Sequence, residues 1–150
     1  MKVSNISEFD KVRLDTEITE VEFEGIIYKR HINPDKSIGG FVATTAIVAE
    51  TCFIEYPVLV YGYAQVFEKA QVYGDARVYG EAQVYGDAQV YGNAWVYGNA
   101  QVYGKARVYG YAQVFEKAQI YGEAWIYGDA RVYGEVQVYG NAQVYGNAQV

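Results

Sequence analysis

The chain has 150 residues, enough for one domain, and its twelve basic and eighteen acidic residues give a formal net charge of −6. This charge argues against direct nucleic-acid binding, because phosphate contacts need a basic surface. The single cysteine, Cys52, excludes an intramolecular disulfide and fits a reducing compartment. No apolar run is long enough to span a membrane and no signal peptide is visible, so we expect a cytoplasmic protein without a membrane partner.

Residues 1–38 are not repetitive and form the first of two predicted segments. Val21 and Phe23 alternate with glutamates, and a second run at 26–32 is apolar at its start and basic towards its end. Both patterns are typical of strands, and residues 33–35 have the composition of a turn. We therefore predict a hairpin-like β cap that covers the exposed edge of the segment that follows.

Hexads begin at Gly39 in degenerate form, and from Val58 to Val150 they repeat one six-residue phrase, A-x-V-Y-G-x, almost without interruption. Every sixth residue from Val42 to Val150 is Val or Ile, and the residue two places earlier is small or apolar. Since positions two apart on a strand point to the same side, these side chains should face inward. The aromatic residue after each Val should face outward at a corner, where Gly lets the chain turn. A strict hexapeptide period predicts a parallel β-helix.

Three hexads in each coil place about 18 residues in a turn, so residues 39–150 should form about six coils. Every eighteenth residue then belongs to one column of side chains. Two columns place Arg77 beneath Trp95 and Arg107 beneath Trp125, which predicts cation–π contacts. A third column is a ladder of glutamines whose amides are expected to hydrogen-bond to one another; its members are Gln65, Gln83, Gln101, Gln119 and Gln137.

The phrase Y-G-[ND]-A-x-V, together with the preceding segment Gly39–Val42, resembles the hexapeptide-repeat proteins of phage and prophage genomes. The resemblance covers most of the chain and implies an all-β, left-handed parallel β-helix with a short N-terminal β cap. The wider superfamily of left-handed β-helices includes trimeric acyltransferases and γ-class carbonic anhydrases. This chain departs from those enzymes because no hexad contains His, no loop interrupts the hexads from Val58 onward and no helical segment follows the last coil.

Few residues could carry out chemistry. His31 is the only histidine, and nothing in the sequence supplies the orienting partner that a general base needs. One histidine also excludes a three-histidine zinc site. Cys52 occupies an inward position and is predicted to be a buried structural thiol, while Glu68 and Glu116 replace the corner Gly as local variants. We therefore expect no catalytic residue, no cofactor and no metal, and a protein that is not an enzyme.

Binding to another macromolecule is the favoured function. Large aromatic residues and Arg dominate the energetics of protein interfaces, and they interrupt the Gln and Ala of the repeats at a few positions. The resemblance to phage proteins implies a phage product that binds a host protein in the bacterial cytoplasm, for example a defence nuclease such as a CRISPR effector. The predicted partner-binding residues are Trp95, Arg77, Trp125, Arg107, Tyr63 and Tyr111.

Three alternatives stay open. The first is a self-assembling rod or homo-oligomer, since Val150 closes a hexad without a polar cap and either another subunit or further natural sequence is expected beyond it. The second is a degenerate acyltransferase of the same superfamily. The third is mimicry of a phosphate backbone by acidic corner residues, although basic residues interrupt them; these are Asp75, Glu81, Asp87, Glu123, Asp129 and Glu135.

Overall fold

The structure, a computed structural model that describes residues 1–150, is a stack of six coils preceded by an N-terminal segment. The N-terminal segment contains β1 (Lys2–Val3), α1 (Ile6–Arg13), β2 (Glu20–Phe23) and β3 (Ile26–Ile32). The coils begin with β4 (Ile38–Ala43), and each coil has three strands. The predicted parallel β-helix is confirmed.

Each coil contributes one strand to each of three sheets. Sheet A continues from β4 through β7 (Leu59–Val60), β10 (Arg77–Val78), β13 (Trp95–Val96), β16 (Gln113–Val114) and β19 (Arg131–Val132). Sheet B contains β5 (Ile47–Val48), β8 (Gln65–Val66), β11 (Gln83–Val84), β14 (Gln101–Val102), β17 (Gln119–Ile120) and β20 (Gln137–Val138). Sheet C contains β6 (Phe53–Ile54), β9 (Gln71–Val72), β12 (Gln89–Val90), β15 (Arg107–Val108), β18 (Trp125–Ile126) and β21 (Gln143–Val144). Neighbouring strands of the coils are parallel and in register, so that Val78 lies between Val60 and Val96.

The interior of the coils is a column of small and aliphatic side chains. One cluster of 29 buried residues runs from Cys52 to Val138 and contains the inward Val, Ile and Ala of the hexads. Val96, in the middle of the column, is 0 % exposed. Burial of each Val or Ile side chain contributes about 1.5–3 kcal/mol, so this column is the main source of stability. The predicted inward facing of Val and Ala is confirmed.

The corners require a left-handed backbone conformation. Gly92 has a φ of +67°, and a Cβ built on it would lie 2.9 Å from the backbone nitrogen of Gly110 in the next coil. Both the conformation and the close approach favour Gly. Glu68 and Glu116 occupy the same corner position with φ values of 62° and 57°. They keep the corner shape at a backbone cost of about 1–2 kcal/mol each.

The aromatic residues after the inward Val and Ile positions stack in three columns along the corners. In one column the rings of Tyr73, Tyr91 and Tyr109 are 4.7 and 4.8 Å apart, with planes within 2° of parallel. This distance is close to the spacing of paired strands, so β pairing itself imposes the stacking. The predicted corner placement of the aromatic residues is confirmed.

The glutamine ladder of sheet B differs from the prediction in its hydrogen bonds. Gln83 and Gln101 are in register, as expected. However, the Gln101 amide oxygen accepts a hydrogen bond from the Tyr85 hydroxyl at 3.4 Å, and that of Gln137 accepts one from Tyr121 at 3.1 Å. In these two coils the tyrosine hydroxyl reaches the amide of the next coil. The expected amide–amide hydrogen bonds are not formed anywhere in the column, and two Tyr–Gln bonds occur instead.

The N-terminal segment contains the predicted hairpin of β2 and β3, which are antiparallel. Strand β3 also pairs with β4 and so extends sheet A beyond the first coil. Two side chains near the end of β3 occupy the free edge of β6 in sheet C: Asn33 Oδ1 accepts a hydrogen bond from Ile54 N at 2.8 Å, and His31 Nε2 donates one to the Cys52 carbonyl at 2.8 Å. The segment therefore covers the first edges of sheets A and C.

Helix α1 was not predicted from the sequence, which indicated strands alone for this segment. Asn5 caps its start by accepting a hydrogen bond from Glu8 N at 2.9 Å. Only Phe9 and Val12 of the helix are buried, so it has little amphipathic pattern to reveal it. They join a second hydrophobic cluster that includes Phe41 on the outer face of sheet A. No helix of the protein is long and apolar enough to cross a membrane.

A buried arginine fixes α1 to sheet A. Arg30 is 7 % exposed, and its guanidinium lies 3.7 Å from the centre of the Phe41 ring. Its Nη2 donates to the carbonyl oxygens of Val12, Arg13 and Asp15 at 2.8–3.2 Å. These carbonyls belong to the end of the helix and the turn after it, where a cation is favoured.

Candidate functional site

The structure places the six predicted partner-binding residues in three regions of the surface. Arg77 and Trp95 lie on sheet A with Tyr111 at the adjoining corner, Arg107 and Trp125 lie on sheet C, and Tyr63 lies beside sheet B. Three of the six residues, Arg77, Trp95 and Tyr111, line one groove on sheet A.

Arg77 and Trp95 are held by their neighbours on sheet A. They pair in register, and the Arg77 guanidinium carbon lies 5.6 Å from the centre of the Trp95 ring. Tyr79 contacts the indole edge-to-face at 6.2 Å and 73°. Burial raises the pKa of Tyr79 to about 12, so this ring stays uncharged at neutral pH. The predicted cation–π pair is confirmed, and these contacts restrict both side chains.

Helix α1 supplies one end of the groove. Arg13, its last residue, donates from Nη1 to the Pro57 carbonyl at 2.9 Å and has a side chain only 15 % exposed. Pro57 lies at the corner one coil before Asp75. The groove is open, has a volume of about 360 Å³, and is lined by Arg13, Asp75, Arg77, Asn93, Trp95, Tyr111 and Gln113.

The pair on sheet C has the same internal geometry without a groove wall. The Arg107 guanidinium carbon lies 5.4 Å from the Trp125 ring centre, and Tyr109 contacts the indole at 6.4 Å and 72°. The only helix packs on sheet A, so nothing equivalent to Arg13 stands beside this pair. The two pairs therefore differ in their surroundings and not in their stacking.

The groove is more positive than the protein as a whole. Arg77 and Asp75 both line it, yet no carboxylate lies within 4.0 Å of Arg77. Arg13 is 3.6 Å from Asp10, measured from Nε to Oδ1. The lining residues include two arginines and one aspartate, but the Asp10 carboxylate offsets the charge of Arg13, so Arg77 is the arginine of the groove without a carboxylate partner. Burial raises the pKa of Tyr61, and the charge of Arg77 and its hydrogen bond with the Tyr61 hydroxyl oppose this rise. No carboxylate within 4.0 Å neutralises the Arg77 charge.

Tyr63 lies in a different environment from Tyr111. Both are largely exposed, at 67 % and 65 % respectively. The groove at Tyr63 is otherwise lined by Gln65, Glu81, Gln83, Asn99 and Gln101. It offers hydrogen bonds but only one aromatic ring and no cation.

The two residues best suited to catalysis have structural contacts. His31 donates to the Cys52 backbone carbonyl, while Cys52 Sγ is 3.5 Å from the carbonyl oxygen of Glu68. Burial raises the pKa of the Cys52 thiol to about 11. No group of three or more His, Cys, Asp and Glu side chains is placed to hold a metal ion. These contacts favour the prediction that His31 and Cys52 have structural roles.

Cys52 is expected to react with iodoacetamide at pH 8 at least about two orders of magnitude more slowly than a free thiol with a pKa of about 8.5. The pKa of about 11 leaves almost no thiolate at that pH, and burial blocks access. Labelling of folded protein followed by mass spectrometry measures this rate, with protein in denaturant as the control. Fast labelling of the folded form, or loss of partner binding in a folded His31→Ala variant, would contradict the structural roles.

The acidic corner residues do not form a single stripe. Asp75 and Asp129 share one corner column, Glu81 and Glu135 a second, and Asp87 and Glu123 a third, according to the strand register. Lys117 forms a salt bridge of 4.0 Å with Glu135. The distribution over three corners gives little support to mimicry of a continuous phosphate backbone.

Stacked hexapeptide coils with an aliphatic interior, and with all distinctive side chains on the outer faces, define this protein as a parallel β-solenoid repeat protein. The repeats are similar to a family described as YdcK Beta solenoid repeat, whose model matches residues 70–86, 82–98, 88–101, 100–116 and 124–140. These matches all lie in the coils and together cover less than half of the chain. Searches of curated proteins and of solved structures each found no significant match.

Sequence reasoning found the sheet A pair and Tyr111 but missed the helix end that completes their groove. Arg13 belongs to α1, and the signal that could have revealed this helix is Asn5 followed three residues later by Glu8, a helix-capping pattern. The eighteen-residue spacing places Gln113 beside Trp95, and the strand register confirms this neighbour.

Proposed function

We propose that this protein is a non-enzymatic, phage-encoded binding protein that acts in the cytoplasm of the bacterial host. Its partner is a host protein, for example a defence nuclease such as a CRISPR effector, which it inhibits by binding. The observation that carries the proposal is the groove at the end of α1, where Arg77, Trp95 and Tyr111 meet. The phage origin is supported by the resemblance of the hexads to phage repeat proteins.

The composition and rigidity of the groove fit a protein interface. Trp, Tyr and Arg are the residues that contribute most often to binding hot spots. Trp95 and Arg77 are restricted by stacking and are carried by paired strands of the solenoid. Side chains that are ordered before binding lose little conformational entropy on association, which increases affinity.

Trp95→Ala is expected to weaken partner binding by about 2 kcal/mol or more, roughly 30-fold in Kd, because it removes the largest apolar surface of the groove. The tagged protein is first used to capture its partner from a bacterial lysate, which mass spectrometry identifies. The affinity of the purified partner for each variant is then measured by calorimetry.

Trp125→Ala is the matched control. It removes an indole with the same Arg and Tyr contacts from a face without the groove, so it should cost the same stability and leave the Kd within about twofold of wild type. Equal effects of the two substitutions on binding, or no effect of either, would contradict the assignment of the groove. Capture of only further copies of the chain would support a self-assembling rod, and acyl-CoA binding would support an acyltransferase.

A further inference from the structure

We propose that the groove on sheet A binds a short acidic segment of a protein in extended conformation, with a carboxylate between Arg13 and Arg77 and a large apolar side chain against Trp95. This inference rests on the proposed binding function and adds the chemical class of the bound segment.

The arginine end of the groove selects a carboxylate. Arg77 has no carboxylate within 4.0 Å. Arg13 donates from Nη1 to the Pro57 carbonyl, and its buried Nε has no hydrogen-bond partner, although the Asp10 carboxylate lies 3.6 Å away. Both arginines line the same groove. Guanidinium groups form strong, directional hydrogen bonds with carboxylates. Asp75 and Asp10 offset part of this positive charge, which leaves Arg77 as the cation that a single carboxylate would neutralise.

The rest of the groove selects an apolar side chain on an extended backbone. Trp95 and the largely exposed Tyr111 provide aromatic surface. Asn93 adds an amide that can both donate and accept hydrogen bonds. The Gln113 amide oxygen accepts from the Tyr97 hydroxyl at 3.0 Å, which orients its NH2 group as a donor for a peptide carbonyl. This combination of ring and amide contacts is complementary to a peptide rather than to an isolated anion.

The dimensions set the length of the segment. Arg77, Trp95 and Gln113 occupy successive strands of sheet A, so they span about 10 Å at about 4.8 Å between strands. An extended chain advances about 3.3 Å per residue. The groove therefore accommodates about three residues, with the carboxylate and the apolar side chain two residues apart on the same side of the peptide.

A nucleic acid fits the groove less well than an acidic peptide. Its backbone carries one negative charge per nucleotide. Asp75 lies within the groove, and Asp129 lies at the same corner as Tyr111, one coil further on. With a net charge of −6 over the whole chain, a polyanion would be repelled on either side of the two arginines.

The test uses a Trp125→Phe protein, in which Trp95 is the only indole and reports on the groove by fluorescence. The probe is the peptide acetyl-Gly-Glu-Gly-Phe-Gly-amide, and its control has Gln in place of Glu. We expect the Glu peptide to change the Trp95 emission saturably and the Gln peptide to bind at least about tenfold more weakly, or about 1.4 kcal/mol. Single-stranded oligothymidylate serves as the nucleic-acid probe.

Arg77→Gln in this background should abolish the preference for the Glu peptide, whereas Arg107→Gln should retain it because Arg107 lies on sheet C. Circular dichroism confirms that each variant is folded. The proposal is overturned by equal affinities for the two peptides, by a preference that survives Arg77→Gln, by the absence of a saturable change up to about 10 mM peptide, or by tighter binding of the oligonucleotide.

The outcome is separable from that of the proposed function. If a host protein binds in a Trp95-dependent manner but the Glu peptide shows no preference, the groove is an interface and the acidic-segment proposal fails alone. If the Glu peptide binds as expected but no lysate protein depends on Trp95, the chemistry of the groove holds and the proposed host partner fails.

Discussion

Val96→Asp is expected to unfold the solenoid. The Val96 side chain is 0 % exposed and stacks between Val78 and Val114 in the aliphatic column. A carboxylate at this position has no partner, and burying it unpaired costs several kcal/mol. Small domains have only about 5–15 kcal/mol of stability in total. Circular dichroism during heating should show a large drop in Tm or no folded signal at all.

Gln119→Asp is the control for this experiment. Gln119 is on the outer face of sheet B, next to the inward Ile120, and is only partly buried. The same new side chain on a solvated face should cost less than about 1 kcal/mol. Comparable melting of Val96→Asp and Gln119→Asp would show that the inward facing of Val96 is wrong.

The solenoid could be predicted from sequence because its geometry is periodic. Side chains alternate along a strand, and paired strands repeat every coil, so the hexad alone places Val84 inside and Gln83 outside. The same periodicity brings Trp95 onto Arg77, since partners eighteen residues apart pair in register. In these parts of the chain, the repeat pattern therefore predicts the tertiary contacts as well as the strands.

The groove could not be predicted in full, because one end of it is formed by helix α1, which lies outside the repeats. Helix α1 buries only Phe9 and Val12 and is held by Arg30, which the sequence pattern placed simply in a basic stretch of β3. The Tyr85–Gln101 bond was missed for a related reason. A column shows which side chains are close, whereas the rotamers decide which polar atoms meet.

Arg30→Ala is expected to release α1 from sheet A and to weaken partner binding while the coils stay folded. Arg30 donates to four carbonyl oxygens, three near the helix end and a fourth from Ile18 at 3.0 Å. Removing it leaves these acceptors without a donor and removes the cation over Phe41, at a cost of about 3–5 kcal/mol to the N-terminal segment. Hydrogen exchange of residues 6–13 should become fast, while that of the coils stays slow.

Released from sheet A, α1 no longer holds Arg13 at the groove, so the loss of partner affinity should approach that of Trp95→Ala. Lys29→Ala is the control, since the exposed Lys29 forms only a surface contact with Glu20 at 3.8 Å. It should change neither exchange nor affinity. Slow exchange of residues 6–13 in Arg30→Ala would show that the Phe9 cluster alone holds the helix. Fast exchange with unchanged affinity would show that the partner does not use the helix end, which would restrict the interface to the side chains of the coils.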